Sequence, residues 1–340
     1  MIETDLLRQV RVARWGGVVC CTDAMQKVAL IYNPASGQLS SRRAKIISQA
    51  LAILRKAGIE VEAFETNAPG SATQFARQAV DGGFDAVLAC GGDGTMHEVL
   101  QALVGTQVAL GVVPLGTANV LAQALGLGNS AIKAVRKLVT ARPIDVPVGR
   151  IHFRDPQGAE QVRYFTVAAG IGADALLMAR MDKKLKRRLG YVLYIIEGFR
   201  VWATGPFPLF HVRIQANGDQ EPQLAEVSQV LVVRVRSFGG ALGVLTPGST
   251  LRGEDLRILV FKTRSRMRYF RFLIATLAGR QTFSDEIEIL NAHSVECLPR
   301  NGASETVYAE ADGEWLGSLP ARIEIASERL TLLAPADAQP

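Results

Sequence analysis

The sequence has few of the residues that build small or metal-held folds. Among 340 residues there are four cysteines: Cys20 and Cys21 are adjacent, and Cys90 and Cys297 are isolated. No Cys-x-x-Cys pair exists, which excludes a disulfide scaffold, a zinc ribbon and a redox motif. The expectation is reduced thiols in a cytoplasmic protein. Two catalytic signatures are also missing. No GxxxxGK-S/T run occurs, and His97-Glu98 does not continue as HExxH because Gln101 stands in the last position. Long apolar spans are lacking too. Residues 99–132 carry no charge, yet they hold Gln101, Thr106, Gln107, Pro114, Thr117, Asn119 and Gln123. A spanning helix needs about 20 mostly apolar residues, so this stretch reads as buried parallel strands and their helices. Residues 1–21 have scattered charges and no apolar centre, unlike a signal peptide. No internal repeat or low-complexity tract is visible.

What remains is a globular composition. It is 48% hydrophobic and 21% charged, which excludes disorder as the dominant state. Lys and Arg outnumber Asp and Glu by 38 to 32, for a net charge of +6. At about 150 residues per domain the length suggests two domains.

The first half alternates between two periods. Residues 27–33, 59–66, 84–90 and 108–114 read as strands. Residues 41–57, 71–81, 95–104, 117–126 and 129–140 have helical spacing, with Ser71/Gln74 and Thr95/Glu98 at capping-box distance. This βαβα rhythm predicts a parallel sheet covered by helices. It stops near Pro143. Short strands follow, interrupted by helical islands at about 174–203 and 266–279, which predicts a mostly antiparallel β domain. The expected division is an extension at 1–26, an α/β nucleotide-binding domain at 27–145, a β-rich domain at 146–328 and a last segment at 329–340.

The strongest local signal is Gly91-Gly92-Asp93-Gly94-Thr95, between a strand and a helix. Glycines let the backbone approach an anion, and a helix N-terminus offers free N–H groups and a partial positive charge. Asp93 would repel a bare phosphate, so it more plausibly meets Mg²⁺ or a ribose hydroxyl. Two further loops repeat the design, Pro34-Ala35-Ser36-Gly37 and Pro114-Leu115-Gly116-Thr117-Ala118-Asn119. In a parallel sheet all three lie at the carboxyl ends of strands, where ligands bind. Gly170-Ile171-Gly172-Ala173-Asp174-Ala175 matches a dinucleotide fingerprint but lacks a parallel unit around it. Asp312-Gly313-Glu314 reads first as a tight hairpin turn and second as an exposed carboxylate base. Two basic clusters stand out: Arg180, Lys183, Lys184, Lys186, Arg187 and Arg188, and Lys262, Arg264, Arg266, Arg268 and Arg271 among Met267, Phe270, Phe272 and Leu273. Each reads as either a solvated face or a contact with anionic lipid. No nucleic-acid motif accompanies them.

IYNPASG (31–37), ACGGDGTMHEVLQAL (89–103), LGVVPLGTANVLA (110–122), VAAGIGADA (167–175), GYVLYIIEGFRVW (190–202), FGGALGVLTPGS (238–249) and EADGEWLG (310–317) together resemble the bacterial diacylglycerol kinase and lipid kinase family, related to sphingosine kinases. GGDGT alone also occurs in NAD kinases; with PLGTAN and a late DGE it is far more specific. The resemblance implies an α/β nucleotide domain followed by a mostly antiparallel β-sandwich, with ATP between them and RLTLLAP (329–335) as a final strand that returns to the first domain. It implies a nucleotide site of Asn33, Thr66, Gly92, Asp93, Gly94, Thr95, Met96, His97, Glu98 and Thr117. Within it Gly92, Asp93, Gly94, Thr95 and Glu98 would surround the phosphates and Mg²⁺, and Asp312 would be the general base. Many members bind a structural magnesium at an acidic stretch of the second domain. The aligned Leu251-Arg252-Gly253-Glu254-Asp255-Leu256 lacks that order, leaving Glu254 and Asp255 as the candidates. Val120 stands where members often have Asp, after the asparagine of GTAN.

The implied activity is transfer of the γ-phosphoryl of Mg-ATP to a primary hydroxyl of a diacylglycerol-like lipid. The protein would work in the cytoplasm, against the inner face of the membrane and its anionic lipid, with a homodimer allowed. The alternatives are a kinase for a sphingoid base or NAD, and a non-catalytic lipid- or nucleotide-binding regulator.

Overall fold

The computed structural model describes residues 25–34, 40–182, 185, 191–216, 221–238, 245–280, 283–302, 305–336 and 338. Four parallel strands open the chain: β1 (Lys27–Tyr32), β2 (Glu60–Glu65), β3 (Ala86–Gly91) and β4 (Ala109–Pro114). They lie in the order β2-β1-β3-β4. β3 and β4 are buried along their whole length, as continuous apolar runs covered on both faces must be. The covering helices are α1 (Ser40–Lys56), α2 (Ser71–Asp81), α3 (Asp93–Leu103), α4 (Val120–Ala124) and α5 (Ala131–Val139). Alanines and leucines of these helices close the first core over Leu30, Leu88 and Leu110.

The second half is antiparallel. It contains β5 (Arg142–Arg154), β6 (Glu160–Phe165), β7 (Ala168–Ile171), β8 (Phe210–Gln215), β9 (Gln223–Val227), β10 (Gln229–Val233), β11 (Leu256–Phe261), β12 (Ile287–Ala292), β13 (Ser294–Leu298), β14 (Tyr308–Ala311) and β15 (Glu314–Ala334). A second core gathers between them around Phe165, Phe210, Val232 and Ile323. The helical islands are α6 (Ala173–Arg180), α7 (Tyr191–Thr204) and α8 (Arg266–Leu277). The mixed α/β fold class read from the sequence is thus the observed one.

The sequence reading broke β15 into pieces. It is one strand of 21 residues that pairs with β14, β13 and β5 and then runs parallel to β4, at Leu332 beside Leu110. Register shifts at 318/322 and 325/329 bend it from one sheet region into the other. Both expected capping boxes are absent. Gly70, at φ 83°, takes the N-cap of α2, and the Ser71 hydroxyl donates back to the Ala68 carbonyl at 2.6 Å. α3 starts at Asp93 behind Gly92, so Thr95 already sits inside the helix. β7 runs antiparallel to both neighbours, which removes the parallel unit a dinucleotide fingerprint at 170–175 would need. Cys90 and Cys297 are buried, and burial pushes both thiols well above their ordinary value. Cys20, Cys21 and the Ala35–Gly37 part of the first loop lie outside the described residues.

Candidate active site

The parallel register aligns Tyr32 with Cys90 and Glu65, and Gly91 with Pro114. The residues that follow these strand ends, Asn33, Thr66, Gly92 and Leu115 to Asn119, therefore share one sheet edge. Backbone bonds tie the edge together: Asn33 N donates to Cys90 O at 3.2 Å, Thr66 N to Tyr32 O at 2.9 Å and Leu115 N to Gly91 O at 2.8 Å. Thr66 and Thr95 are buried, while Thr117 is exposed at the rim.

Glycine sets how close the two central loops come. A Cβ added to Gly116 would lie 2.5 Å from the Gly92 Cα, and one added to Gly91 would lie 2.4 Å from the Thr95 hydroxyl. Asn119 adopts φ 48°, and its side-chain amide bonds both the N–H and the C=O of Gly116, at 2.8 and 2.9 Å. The Asp93 carboxylate accepts from Asn119 N at 3.1 Å and Val120 N at 2.9 Å. Asp93 thus clamps the neighbouring loop from the first turn of α3. Glu98 accepts from Ala72 N at 3.3 Å, which joins α3 to the start of α2. Met96 points into the first core. The result is a helix N-terminus set between close-packed glycine loops, a geometry suited to phosphate.

α3 also reaches the second half. Gln101 works as a ladder rung: its Oε1 accepts from Tyr164 N at 3.0 Å and its Nε2 donates to Tyr164 O at 2.8 Å. One turn earlier, His97 Nδ1 stands 3.6 Å from Asp312 Oδ2, with both side chains more than nine-tenths buried. His97, expected at the nucleotide, is turned toward Asp312. A Cβ on Gly94 would meet Glu314 Oε1 at 2.9 Å.

Asp312 and Gly313, at φ 50° and 81°, form the two-residue turn between β14 and β15, with Ala311 opposite Glu314. Two positive φ values are what a tight hairpin of the observed hand requires. The hairpin expected at this position is the observed one, but the carboxylate expected to be exposed is not: the Asp312 side chain is 5% exposed, because it turns in to neighbouring N–H groups. The Asp312 carboxylate accepts from the N–H groups of Thr166 (3.0 Å), Val167 (2.8 Å) and Ala168 (3.1 Å) and from the Thr166 hydroxyl (3.3 Å). Beneath it lie two more acids. Burial pushes Glu310 well up, helped by Asp174, while Gly313 N donates to its Oε2 at 2.9 Å. Burial pushes Asp174 up to about 7.

The metal candidates do not converge. Glu254 is mostly exposed and accepts from Arg329 at 3.0 Å. No group of three or more His, Cys, Asp or Glu side chains that could hold a metal ion occurs among the described residues. Sequence reasoning missed Gln101, Tyr164, Thr166 and the fully buried Arg234. The one available signal was an arginine inside the run QVLVVRV.

The family model for the diacylglycerol kinase catalytic domain matches residues 27–151. That for the YegS C-terminal NAD kinase beta sandwich-like domain matches residues 165–334, half of the chain. The chain belongs to the diacylglycerol kinase family. It is a kinase, a phosphotransferase with an alcohol acceptor. Among curated relatives, a diacylglycerol kinase of Bacillus subtilis is 30% identical over 87% of this chain and 92% of its own length. One of Mycobacterium tuberculosis is 30% identical over 91% of this chain and 95% of its own. A crystal structure of a diacylglycerol kinase from Bacillus anthracis superposes with a TM-score of 0.67 at 19% identity, covering 93% of this chain and 99% of that one. Yeast NADH kinase shares the fold at a TM-score of 0.51 and 12% identity. No helix among the described residues is long and apolar enough to cross a membrane.

Proposed function

We propose that this diacylglycerol kinase family member transfers the γ-phosphoryl group of ATP to a primary hydroxyl of a lipid such as diacylglycerol. The observation that carries the reading is α3. Its first residues form the phosphate cradle, and one turn later it touches Asp312. A γ-phosphoryl on the cradle and a hydroxyl at Asp312 are then neighbours by construction. Asn33, Thr66 and Thr117 would line the nucleotide side, while Gly92 and Gly94 would offer backbone to the phosphates; the Thr95 N–H is already given to Gly92 O at 3.0 Å. Mg²⁺ held with the nucleotide would supply neutralisation of phosphate charge.

Asp312 takes the hydroxyl proton as the lipid oxygen attacks in line. Four acceptor positions of its carboxylate are filled, and the Thr166 hydroxyl makes the longest of those bonds. A substrate hydroxyl would take that place. Positioned bases supply about 10²–10⁴ in rate, with the remainder from positioning and charge neutralisation.

The lipid would be met at a surface formed by α7 and α8. Val192, Ile195 and Phe199 on α7 and Met267, Phe270, Leu273 and Ile274 on α8 are exposed. Trp202 links the two helices, with ring centroids 5.3 Å from Phe199 and from Phe270. Exposed Arg264, Arg266, Arg268 and Arg271 surround the patch, as an anionic bilayer would demand. Lys183, Lys184, Lys186, Arg187 and Arg188 lie outside the described residues. Phe272, counted in the same cluster by sequence, is buried under α8.

The deciding experiment incubates the pure protein with labelled ATP and a panel of lipid alcohols, a sphingoid base and NAD. Phosphorylated diacylglycerol-like lipid is the expected product. Exclusive labelling of NAD, or no product at all, rejects the reading.

A further inference from the structure

The largest fully buried side chain among the described residues is a charged one. Arg234, directly after β10, is 1% exposed. Its Nη2 donates to Pro147 O at 2.8 Å and Leu251 O at 3.0 Å, and its Nη1 donates to Gly253 O at 3.3 Å. These carbonyls come from β5 and from the turn before β11, segments otherwise far apart in sequence. Three carbonyl oxygens thus converge on one buried cation; carbonyl oxygen is also a ligand of hard metal ions, which take six or more. Burial pulls Arg234 down to about 10, and Asp312 and Glu254 pull it back up, so the guanidinium is fully charged at neutral pH.

The same residue is wired to Asp312. Arg234 N donates to Val167 O at 2.9 Å, and Val167 N donates to Asp312 Oδ1 at 2.8 Å. A shift of the Arg234 backbone would pass directly into the row of N–H groups that orients the Asp312 carboxylate.

We propose that Arg234 is the resident cation of the second half: its guanidinium closes the cage of Pro147, Leu251 and Gly253 carbonyls in place of a divalent ion, and it positions Asp312 through Val167. The residues around the aligned acidic stretch fit this better than they fit magnesium. Glu254 turns outward to Arg329, and two backbone oxygens of the stretch or its border are occupied by Arg234. The fork geometry of guanidinium serves several acceptors at once, which the single ammonium of lysine does less well.

The structural arm of the test needs no activity. The intact protein, without nucleotide, is melted with EDTA and with added Mg²⁺. Equal Tm values are expected; a Tm lowered by EDTA and restored by Mg²⁺ overturns the proposal. Arg234→Lys and Arg234→Met are then melted beside it. The lysine variant is expected several degrees below wild type and the methionine variant lower still, or unfolded. If Lys and Met melt alike at the wild-type value, the charge has no role and the idea falls. The positioning arm rests on the lipid kinase reading. In Arg234→Lys, kcat is expected to drop about tenfold with the ATP KM within about twofold, an effect of about 1.4 kcal/mol confined to the chemical step. Unchanged kcat removes the positioning role. Absence of turnover in the wild type would count against the kinase reading alone, because the melts still decide the cation.

Discussion

At the edge of the parallel sheet, Gly92 and Gly116 approach so closely that a Cβ on Gly116 has no room, and the groups proposed to meet phosphate are backbone N–H. At the Asp312 turn, the corresponding work falls to buried polar side chains: one carboxylate on three N–H groups, a guanidinium behind it, and beneath it two acids whose burial favours their protonated forms. The first region is defined by missing side chains, the second by buried titratable ones. They should fail in opposite ways. Adding atoms damages the first, whereas removing charge at constant size damages the second.

The sharpest test of that contrast is Asp312→Asn. Size and turn propensity survive, so the hairpin should persist. The proton acceptor is gone, and kcat should fall by about 10²–10⁴. ATP affinity, measured by calorimetry on the same preparation, should stay near wild type. Gly92→Val is the converse. It keeps every charge and fills the cradle, so Mg-ATP affinity should fall at least about tenfold, or about 1.4 kcal/mol, in a folded protein. Equal damage to ATP affinity by both substitutions would dissolve the comparison.

Smaller effects sharpen it. Phe199→Asp places a charge in the α7–α8 patch and removes an apolar side chain worth about 1.5–3 kcal/mol when buried. Vesicle co-sedimentation with anionic lipid should drop about tenfold while soluble nucleotide binding is unchanged. Gln101→Leu removes from the Tyr164 backbone N–H and C=O the one side chain of α3 that pairs with both. Calorimetric unfolding should show a loss of about 1–3 kcal/mol, the cost of an unpaired buried polar group. Asp174 gives the smallest and most conditional signal. Its ordinary value is 3.8 and burial raises it to about 7, so its stabilising contribution is complete below the ordinary value and is lost as pH rises through about 7. The wild-type Tm should fall by a few degrees between about pH 5 and about pH 8. In Asp174→Asn that slope should flatten, leaving only what Glu310 contributes in the same direction.

The parallel half was legible because its strands are uninterrupted apolar runs and its helices have a clean 3.6-residue period. The clustering of glycine loops at one sheet edge was legible for a related reason: each lies between a strand and a helix, and parallel strands bring such loops together. Caps were misread because spacing alone cannot see backbone angle. Gly70 in the left-handed region takes the capping position from Ser71. The continuity of β15 was hidden by Pro320 and by polar residues that alternate over only part of its length. The Asp312 environment was hidden more deeply. Its N–H donors lie 144 to 146 residues away in sequence, at Thr166 to Ala168. No local pattern announces such a pairing, and Arg234 reads as an exposed strand residue until three carbonyls are found around it.

β15 has a consequence for how the protein is made. β4 acquires its partner Leu332 only with β15, after β5 to β14 have been made. During synthesis the parallel sheet therefore keeps an open edge at β4 while everything from β5 to β14 is still emerging from the ribosome. Open edges of buried, apolar strands recruit other chains. The nascent first half depends on β15 as a late-arriving seal. A ribosome stalled anywhere before that strand leaves a polypeptide with a folded-looking nucleotide half and a sticky flank, a natural client for chaperones.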